Sequence, residues 1–506
     1  MPTAAPSKHA PLWQKLIVAL TVVTMLFADQ IASFLVVRNR FYHAWDSTDA
    51  WLLILVIVIL SALAIIISVV FKKLRWQRCS RIWNHLFVLA VISGAMSLLH
   101  LTNSYPRWLQ IGWLAIMLGL GFSLGYPSSR LVAFTKNACL IFSPLVLILC
   151  AQLLTARTWE CPNSSQEEFA QSRSEATPIF LFIFDGWPFP RITDDQNEFL
   201  PQYENLRRLS EQSFNFVNAR SPYHFTTQSL PRIIYQTDYW FTIRDDGCVF
   251  ETLDGEVVST QFPSVFLAAQ KQDYNTAMVG FFLPYQKILG DQVDYYRTYR
   301  YEVKKETLLD RMAWVVIGNF GHLTDPISIG INTRILNRFT SRHHYEINAR
   351  TQADIWSLID NAPPNSLCIT HWPLPHAPYI FDRDGSYSGP HDGVKGKYDA
   401  APERQDEQLL YLDKVIGQLV DRLKTAGKFD DALLILTADH GWSKDIEINR
   451  RVPLIIKVPH QNTAQRVERV ACNNHISAII ASALQGRLDE QTALSLINED
   501  RLSCAH

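Results

Sequence analysis

The sequence lacks an excess of charge of either sign. Its 506 residues hold 47 lysines and arginines against 48 aspartates and glutamates, a formal net charge of −1. This balance excludes a strongly basic nucleic-acid-binding protein and a chain with an acidic disordered tail. The chain also has no internal repeat and no low-complexity tract, and the absence of a CxxC pair gives no support to a zinc ribbon.

Acidic residues are scarce in the first part of the chain. Residues 1–157 contain 13 lysines and arginines but only 3 acidic residues, whereas the rest contains 34 and 45. Apolar stretches close to the roughly 20 residues that cross a bilayer as a helix fill this part. They cover residues 16–37, 51–71, 82–101, 108–126 and 131–154. The pattern predicts a membrane domain of five transmembrane helices over residues 1–156.

Basic residues in the loops predict the orientation of this membrane domain. The loop between the second and third stretches has five basic residues and no acidic one, so the positive-inside rule places it in the cytoplasm. Alternation then puts the N-terminus in the cytoplasm and everything after residue 154 outside it. Ala28, Asp29 and Gln30 do not resemble a signal cleavage site. We expect a multi-pass protein of the plasma (inner) membrane with an extracytoplasmic, periplasmic outer region.

The outer region has the pattern of an α/β domain. A polar juxtamembrane linker over residues 157–176 precedes a continuous apolar run at 178–184. Strand and helix patterns then alternate, which predicts a mostly parallel sheet covered by helices. We expect the catalytic domain to cover residues 177–485 and a C-terminal tail to cover 486–506. The predicted strands are 178–184, 276–280, 367–370 and 432–437, and the predicted helices are 203–213, 264–272 and 405–423.

Carboxylates and imidazoles follow three of the predicted strands. Asp185 ends the first strand, His371 and His376 follow the strand at 367–370, and Asp439 and His440 follow the strand at 432–437. Ligands bind beyond the carboxyl ends of strands in such sheets. Each residue alone is as easily a turn or a structural side chain. Together they predict a site for a divalent metal ion, with zinc or manganese as the candidates.

Five cysteines lie in the outward region, where disulfides form. Because the number is odd, at least one of them stays free or pairs elsewhere. They are Cys161, Cys248, Cys368, Cys472 and Cys504.

An ordered series of motifs over most of residues 177–460 resembles the alkaline phosphatase and sulfatase superfamily. The series is the strand with Asp185, PQYENLRRLSEQSFNFVNARSPYHFTTQSLPR, SVFLAAQKQDYNTAMVG, HWPLPHAPY, the segment ending in TADHG, and RRVPLIIKVP. Five transmembrane helices before an outer domain are most similar to the membrane-anchored phosphoethanolamine transferases and lipoteichoic acid synthases. The resemblance implies a sulfatase-like fold and a phosphotransferase that uses a divalent metal.

The resemblance assigns roles to individual residues. Asp185, Asp439 and His440 match metal ligands of the family. Thr226 in TTQSLP matches the threonine nucleophile of the transferases, itself a metal ligand, with Thr227 and Ser229 as alternatives.

The HWPLPH motif matches a histidine that the transferases use near a second metal ion or the substrate phosphate. His376 is the stronger candidate and His371 the weaker one, and Lys444 is a candidate for a phosphate contact. Arg450, His224 and His475 are further candidates for that contact.

Three positions depart from the superfamily's patterns. Ile233 stands where the sulfatase motif C/S-x-P-x-R has arginine. Phe281, Phe282 and Leu283 follow Gly280, so the lysine and histidine of the sulfatase motif GKWH are both missing. These departures argue against sulfate-ester hydrolysis. The segment after His440 also lacks the histidine that family members usually carry there, which argues against a second metal site.

The resemblance therefore implies transfer of a phospholipid headgroup phosphate, phosphoethanolamine or phosphoglycerol, through a phospho-threonine to a glycan or lipid acceptor. Two alternatives stay open. The same residues would suit a membrane-bound hydrolase of phosphate, phosphonate or sulfate esters, and the missing histidine would suit a non-catalytic protein of the same fold. The expected partners are the membrane, the phospholipid donor and the acceptor, with no nucleic acid.

Overall fold

The structure is a computed structural model, and it divides the chain into two compact units. One unit comprises Met1–Glu160 with Val303–Leu336, and the other comprises Cys161–Glu302 with Asn337–His506. The described residues are 11–35, 46–100, 129–156, 176–244, 246–300, 307–309, 311–312, 315–316, 331–389, 402–499 and 501–504.

The first unit is helical. Two helices of its described part are long and apolar enough to cross a membrane, at Ser47–Lys73 and Arg130–Thr155. They correspond to two of the five predicted stretches and are compatible with membrane anchoring, while the predicted stretch 108–126 lies outside the described residues. A count of five therefore stays a prediction. The helices are α1 (Leu12–Leu26), α2 (Ala28–Leu35), α3 (Ser47–Lys73), α4 (Gln77–His100) and α5 (Ser129–Thr155).

Charged residues fix both ends of helix α3. Asp46 and Asp49 form a capping box at its start, in which each carboxylate accepts a hydrogen bond from the backbone N–H of the other. Arg311, from the later part of the same unit, donates to both carboxylates, at 2.7 and 3.2 Å. Lys72 and Lys73 lie in the last turn, where positive charges interact favourably with the helix dipole.

The second unit is built on an eight-stranded sheet with the order β11-β2-β10-β9-β1-β8-β6-β7, and β3, β4 and β5 form a small antiparallel sheet. Every pairing in the large sheet is parallel except those of β10. The predicted mostly parallel sheet is thus confirmed. The strands are β1 (Ile179–Asp185), β2 (Phe214–Arg220), β3 (Trp240–Arg244), β4 (Gly247–Thr252), β5 (Gly255–Val258), β6 (Asn275–Phe281), β7 (Tyr295–Tyr299), β8 (Ser366–Pro375), β9 (Leu433–Ala438), β10 (Leu454–Lys457) and β11 (Gln465–Cys472).

Helices connect and cover these strands. Every residue of β1, β8 and β9 is buried, as expected of central strands in a sheet covered on both faces. Leu412, Ile416 and Leu419 of the long helix after residue 401 pack in the same core. The helices are α6 (Glu204–Ser210), α7 (Thr226–Tyr235), α8 (Val265–Gln270), α9 (Tyr285–Leu289), α10 (Ile331–Asn361), α11 (Pro402–Thr425), α12 (Ile446–Arg450), α13 (Ser477–Leu484) and α14 (Glu490–Asn498).

One pair of the outer cysteines is bonded. Cys472, at the end of β11, forms a disulfide with Cys504 near the C-terminus. Cys368 is a buried free thiol in β8, and burial raises its pKa to about 12. Cys161 lies outside the described residues.

Candidate active site

The carboxyl ends of three central strands bring the predicted polar residues together. Asp185 is the last residue of β1, and Asp439 and His440 come directly after β9. His371 lies within β8, beside β1, and His376 follows the end of β8. Four of these side chains are buried and His376 is half-buried. The topology therefore gathers residues from three distant parts of the chain at one edge of the sheet.

These five residues form two overlapping groups that could each hold a metal ion. Asp185, His376 and His440 make one group, and Asp185, His371 and Asp439 make the other, with ligand atoms within 4.8 Å of one another in each. His440 Nε2 lies 3.6 Å from Asp185 Oδ1 and 3.6 Å from Asp439 Oδ2. Asp185 thus belongs to both groups.

The three histidines share one arrangement of their rings. In each, Nδ1 donates to a backbone carbonyl, which leaves Nε2 as the ring nitrogen that can bind a metal ion. Metal-bound histidines are oriented by this kind of hydrogen bond to the other ring nitrogen. The bonds are His371 Nδ1 to Phe281 O (2.8 Å), His376 Nδ1 to Ala377 O (2.6 Å) and His440 Nδ1 to Gly441 O (2.5 Å).

Two buried atoms at the centre of the cluster have no hydrogen-bond partner among the described residues. They are Asp439 Oδ2 and His371 Nε2, which face each other at 3.8 Å. Two lone pairs at that distance, removed from water, are unfavourable unless a cation lies with them. Imidazole nitrogens with carboxylate oxygens suit zinc or manganese better than calcium, which takes oxygen ligands. The residues therefore fit a divalent metal ion of that kind.

The charge of Asp439 also disfavours the charged form of Asp185. Burial, and then the charge of Asp439, raise the pKa of Asp185 well above its usual range, while His440 and Thr226 partly offset this effect. A buried pair of like charges is stable in ionised form only with a compensating cation. The repulsion between the carboxylates and the types of ligand atom therefore both favour a bound cation.

Tyr285 supports His371 from behind and was not found by sequence reasoning. Its hydroxyl donates to Phe281 O at 2.8 Å and lies 3.0 Å from His371 Nδ1. A side chain at Gly280 would come within 2.7 Å of the tyrosine ring, so glycine is what allows this close approach. The sequence signal was the segment GFFLPY, where the sulfatase resemblance directed attention to the missing lysine and histidine.

Gly186 gives the cluster its second tight contact. Its backbone N–H donates to Asp439 Oδ1 at 3.1 Å, and its φ of +69° is one that residues with a side chain rarely adopt. A Cβ atom there would lie 3.1 Å from His376 Cδ2. The Asp-Gly pair after β1 is thus both a turn and a part of the site.

Thr226 lies against the same cluster. It begins helix α7, and its Oγ1 lies 3.2 Å from His440 Nε2 and 3.5 Å from Asp185 Oδ1. Thr226 is buried, and the residue before it, Phe225, has no polar group with which to cap the helix. The N–H groups of Gln228 and Ser229 donate to the carbonyl of Phe225, so those of Thr226 and Thr227 are the ones suited to bind an anion.

The two alternative nucleophiles are placed differently. Ser229 is fully buried, and its hydroxyl donates to Tyr223 O at 2.8 Å and accepts from Tyr223 N at 3.1 Å. Thr227 is half-buried on the next position of the helix. The hydroxyl of Thr226, in contrast, lies close to both Asp185 and His440.

The other residues predicted to contact the substrate differ in their burial and in their contacts. His376 packs edge-on against His440, with ring centroids 6.1 Å apart. Burial, and then the charges of His440 and Arg450, lower the pKa of half-buried His224. Lys444 lies exposed on the segment after His440.

His475 lies in another setting. Its Nε2 bonds Asp238 Oδ2 at 2.9 Å, and its Nδ1 bonds the carbonyl of Ser503. This places it with the C-terminal residues next to the disulfide.

Comparison with known proteins gives a match to one family. The model of the sulfatase family matches residues 194–486, which is more than half of the chain. No curated protein matches the sequence significantly.

Similar solved structures include a phosphonate monoester hydrolase of Agrobacterium radiobacter, with 14% identity over 61% of this chain and 74% of that chain and a TM-score of 0.40. A sulfatase from Pseudoalteromonas sp. has 14% identity over 62% and 68% of the two chains, with a TM-score of 0.40. A protein of the alkaline phosphatase superfamily from Vibrio parahaemolyticus has 12% identity over 61% and 66%, with a TM-score of 0.36.

Proposed function

The chain belongs to the sulfatase family, and within it we propose that this protein is a membrane-anchored, metal-dependent phosphotransferase. It moves a phospholipid headgroup phosphate, phosphoethanolamine or phosphoglycerol, onto a glycan or lipid acceptor through a phospho-threonine intermediate. The observation that carries this proposal is the position of the Thr226 hydroxyl, 3.2 Å from His440 Nε2 at the start of a helix.

Thr226 is the nucleophile in this proposal. A free threonine hydroxyl is a poor nucleophile near neutral pH and needs a group that removes or stabilises its proton. The Thr226 hydroxyl lies 3.2 Å from His440 Nε2, which is assigned to the metal ion, and 3.5 Å from Asp185 Oδ1, which can accept its proton. The N–H groups at the start of α7 favour the phosphate that the hydroxyl attacks.

The reaction has two steps. Thr226 Oγ1 forms a bond to the phosphorus, the bond from phosphorus to the diacylglycerol oxygen breaks, and the threonine proton ends on that oxygen. The oxygen of an acceptor hydroxyl then bonds to the same phosphorus, the bond from phosphorus to Thr226 Oγ1 breaks, and the proton of the acceptor hydroxyl ends on the threonine oxygen. The half-buried His376 and His224 border the cluster and are suited to contact the phosphate oxygens.

Asp185, Thr226, Asp439 and His440 would hold the metal ion, and His371 and His376 are additional ligands within reach. A divalent cation there would polarise a phosphoryl oxygen and compensate the buried carboxylates. Zinc is the first candidate because imidazole and carboxylate ligands suit it, and manganese is the second.

Membrane anchoring supports a lipid donor. We infer five transmembrane helices, a cytoplasmic N-terminus and a catalytic domain on the periplasmic side. A domain tethered in this way meets its donor at the outer leaflet without a search in three dimensions.

A hydrolase of phosphate or phosphonate esters is the second candidate, and the match to the sulfatase family favours it. It would use the same Thr226 and metal ion, with water as the acceptor. Sulfate esters are disfavoured because Ser229 is bonded to Tyr223 and because Ile233, Phe281 and Leu283 stand where the sulfatase motifs have arginine, lysine and histidine.

The test is the release of diacylglycerol by the full chain in detergent from phosphatidylethanolamine and phosphatidylglycerol. We expect release with one of them, and the Thr226→Ala variant should lose it by at least about 1,000-fold. Thr227→Ala is the matched control and should keep it. Release that continues in Thr226→Ala would refute the proposed nucleophile, and headgroup phosphate found only as a free product would favour the hydrolase.

A further inference from the structure

We propose that an aromatic shelf beside the nucleophile, formed by Tyr223, Phe225 and Trp240, binds a sugar ring of the acceptor. This inference rests on the proposed function and adds to it the class of acceptor. The shelf belongs to neither the metal cluster nor the residues assigned to the phosphate.

The rings of the shelf are in mutual contact next to Thr226. Tyr223 packs edge-on against Phe225, with ring centroids 4.7 Å apart, and against Trp240 at 5.3 Å. His224 stacks on Tyr223 at 4.3 Å. Phe225 is the residue directly before Thr226, so the shelf begins where the reacting hydroxyl lies.

Hydrogen bonds fix Trp240 relative to the nucleophile. Gln228, in the first turn of α7, donates through Nε2 to the carbonyl of Phe241 and accepts from the N–H of Phe241 at 3.2 Å. Arg232, further along the same helix, donates to Tyr239 O at 3.0 Å. The start of β3 and the start of α7 therefore form one rigid element that carries both Trp240 and Thr226.

The shelf leaves aromatic surface exposed. Phe225 is 38% exposed and Trp240 is 39% exposed, whereas Trp187 and Trp372 of the same unit are fully buried. A large ring that is neither buried nor isolated, beside a candidate nucleophile, is typical of a ligand contact. A sugar ring matches it, because a pyranose has an apolar face of C–H groups and a rim of hydroxyls.

The charges around the shelf favour a sugar over the ammonium group of an ethanolamine headgroup. The Arg232 guanidinium already lies over the rings of Tyr223 and Trp240, with its carbon 5.7 and 5.3 Å from their centroids. Arg450 adds a positive charge near His224, whose pKa it lowers. Because a cation–π partner is already present, a second cation would be repelled, while a neutral or acidic sugar would not.

The shelf would orient the acceptor for the second step of the reaction. A hydroxyl oxygen of the bound sugar forms the new bond to phosphorus, the bond from phosphorus to Thr226 Oγ1 breaks, and the proton of the sugar hydroxyl returns to the threonine oxygen. Holding the ring on Phe225 keeps its hydroxyls close to the intermediate.

The first experiment measures sugar binding to the full chain in detergent by calorimetry. The probes are a hexasaccharide of galacturonic acid, which is acidic, and a hexasaccharide of glucose, which is neutral. We expect both to bind, the acidic one more tightly. The Trp240→Ala variant should weaken both by about tenfold, and Trp240→Phe by less. Leu253→Ala, which removes a 93% exposed apolar side chain next to β4 in the same small sheet, should have less than a twofold effect.

The second experiment separates the two steps. We compare wild type with Trp240→Ala in two measurements. One is the rate at which phospholipid alone forms the adduct on Thr226, and the other is the KM for the sugar acceptor. We expect the KM to change about tenfold more than the adduct rate does.

The outcomes distinguish this inference from the proposed function. An adduct on wild-type Thr226 with no binding of either sugar would overturn the shelf and leave the nucleophile standing. An equal loss of both steps in Trp240→Ala would overturn it as well, because the shelf would then serve the donor or the fold. Sugar binding without any adduct would support the shelf and refute the phosphotransferase.

Discussion

At the scale of single residues, the site is defined by two buried atoms that have no hydrogen-bond partner in the described part of the chain, Asp439 Oδ2 and His371 Nε2. These atoms face each other at 3.8 Å in a region without water access. Because the Nδ1 atom of His371 donates to a carbonyl, the lone pair of Nε2 cannot be removed by a change of tautomer. A cation is the partner that satisfies both atoms.

The first prediction concerns the support of His371. Tyr285→Phe removes the hydroxyl next to Nδ1, and we expect the affinity for zinc to fall by about 10-fold, the lower end for partners that orient metal-bound histidines. The measurement is zinc binding by competition with a chelator. Tyr274→Phe is the control, because its hydroxyl bonds the carbonyl of Thr177. Equal zinc affinity in the two variants would contradict the assignment of Tyr285.

The second prediction concerns the pH dependence of stability through His475. Its hydrogen bond to Asp238 raises the pKa of His475 in the folded chain, and the same bond lowers the pKa of Asp238. The contribution of His475 is therefore complete below its unfolded pKa of about 6.5 and is lost as the pH rises through its folded pKa. The contribution of Asp238 is complete above its unfolded pKa and is lost as the pH falls through its folded pKa.

We therefore expect this pair to stabilise the fold most between about pH 4 and 6.5. Because half of Asp238 is exposed, the effect should be below about 1 kcal/mol in the free energy of unfolding. Urea unfolding of wild type and His475→Gln at pH 5.5 and 8.5 measures it. A difference between the two proteins that does not shrink at the higher pH would count against the ion pair.

At the scale of elements, helix α6 depends on one carboxylate from helix α11. Asp413 accepts from the N–H groups of Asn205 and Leu206, at 3.2 and 2.9 Å, and from Asn205 Nδ2 at 2.8 Å. These N–H groups at the helix start have no partner within α6. Asp413 thus links the two helices that lie over the sheet.

The third prediction follows from this link. Asp413→Ala leaves three donors without an acceptor, and we expect it to lower the free energy of unfolding by about 2 kcal/mol. Asp421→Ala, an exposed position on the same helix, should change it by less than about 0.5 kcal/mol. Denaturant unfolding followed by circular dichroism measures both. Similar stabilities for the two variants would show that the link is weak.

The central elements could be predicted from the sequence and the edges could not. The runs at 178–184 and 432–437 are continuously apolar because β1 and β9 are buried on both faces. Strand β11, at one edge of the sheet, is largely exposed and has three charged residues among QRVERVAC, so it gave no strand signal. Strand β8 extends from the predicted 367–370 to Pro375, since the polar His371 interrupts its apolar pattern.

Some residues of the site could likewise be predicted from the sequence, and others could not. Asp185, Asp439 and His440 could be placed because they follow apolar strands, and the resemblance added Thr226. The part played by Tyr285 depends on the contact between the end of β6 and β8, which no local pattern encodes. The aromatic shelf likewise depends on the packing of β3 against α7.

At the scale of the whole molecule, the disulfide ties the C-terminus to the sheet. Cys472 and Cys504 are 32 residues apart, and helices α13 and α14 lie in the loop that they close. A loop of this length is expected to contribute about 3 to 4 kcal/mol. A disulfide is also consistent with the proposed extracytoplasmic side, where such bonds persist.

The fourth prediction is a redox effect on stability. We expect a reductant to lower the Tm of the wild-type protein and to leave the Tm of a Cys472→Ala, Cys504→Ala double variant unchanged. The double variant without reductant should match the reduced wild type. Equal wild-type Tm values with and without reductant, with thiol labelling that shows complete reduction, would refute a stabilising role for the bond.

The proposed chemistry requires a covalent bond between Thr226 and the headgroup phosphate. The most direct measurement is the intact mass of the full chain, with metal analysis, after incubation with phosphatidylethanolamine or phosphatidylglycerol and no acceptor. We predict bound metal and a mass increase that matches one headgroup phosphate in the wild type, and no mass increase in Thr226→Ala. Bound metal without any adduct in the wild type, or an adduct that persists in Thr226→Ala, would contradict the phospho-threonine mechanism.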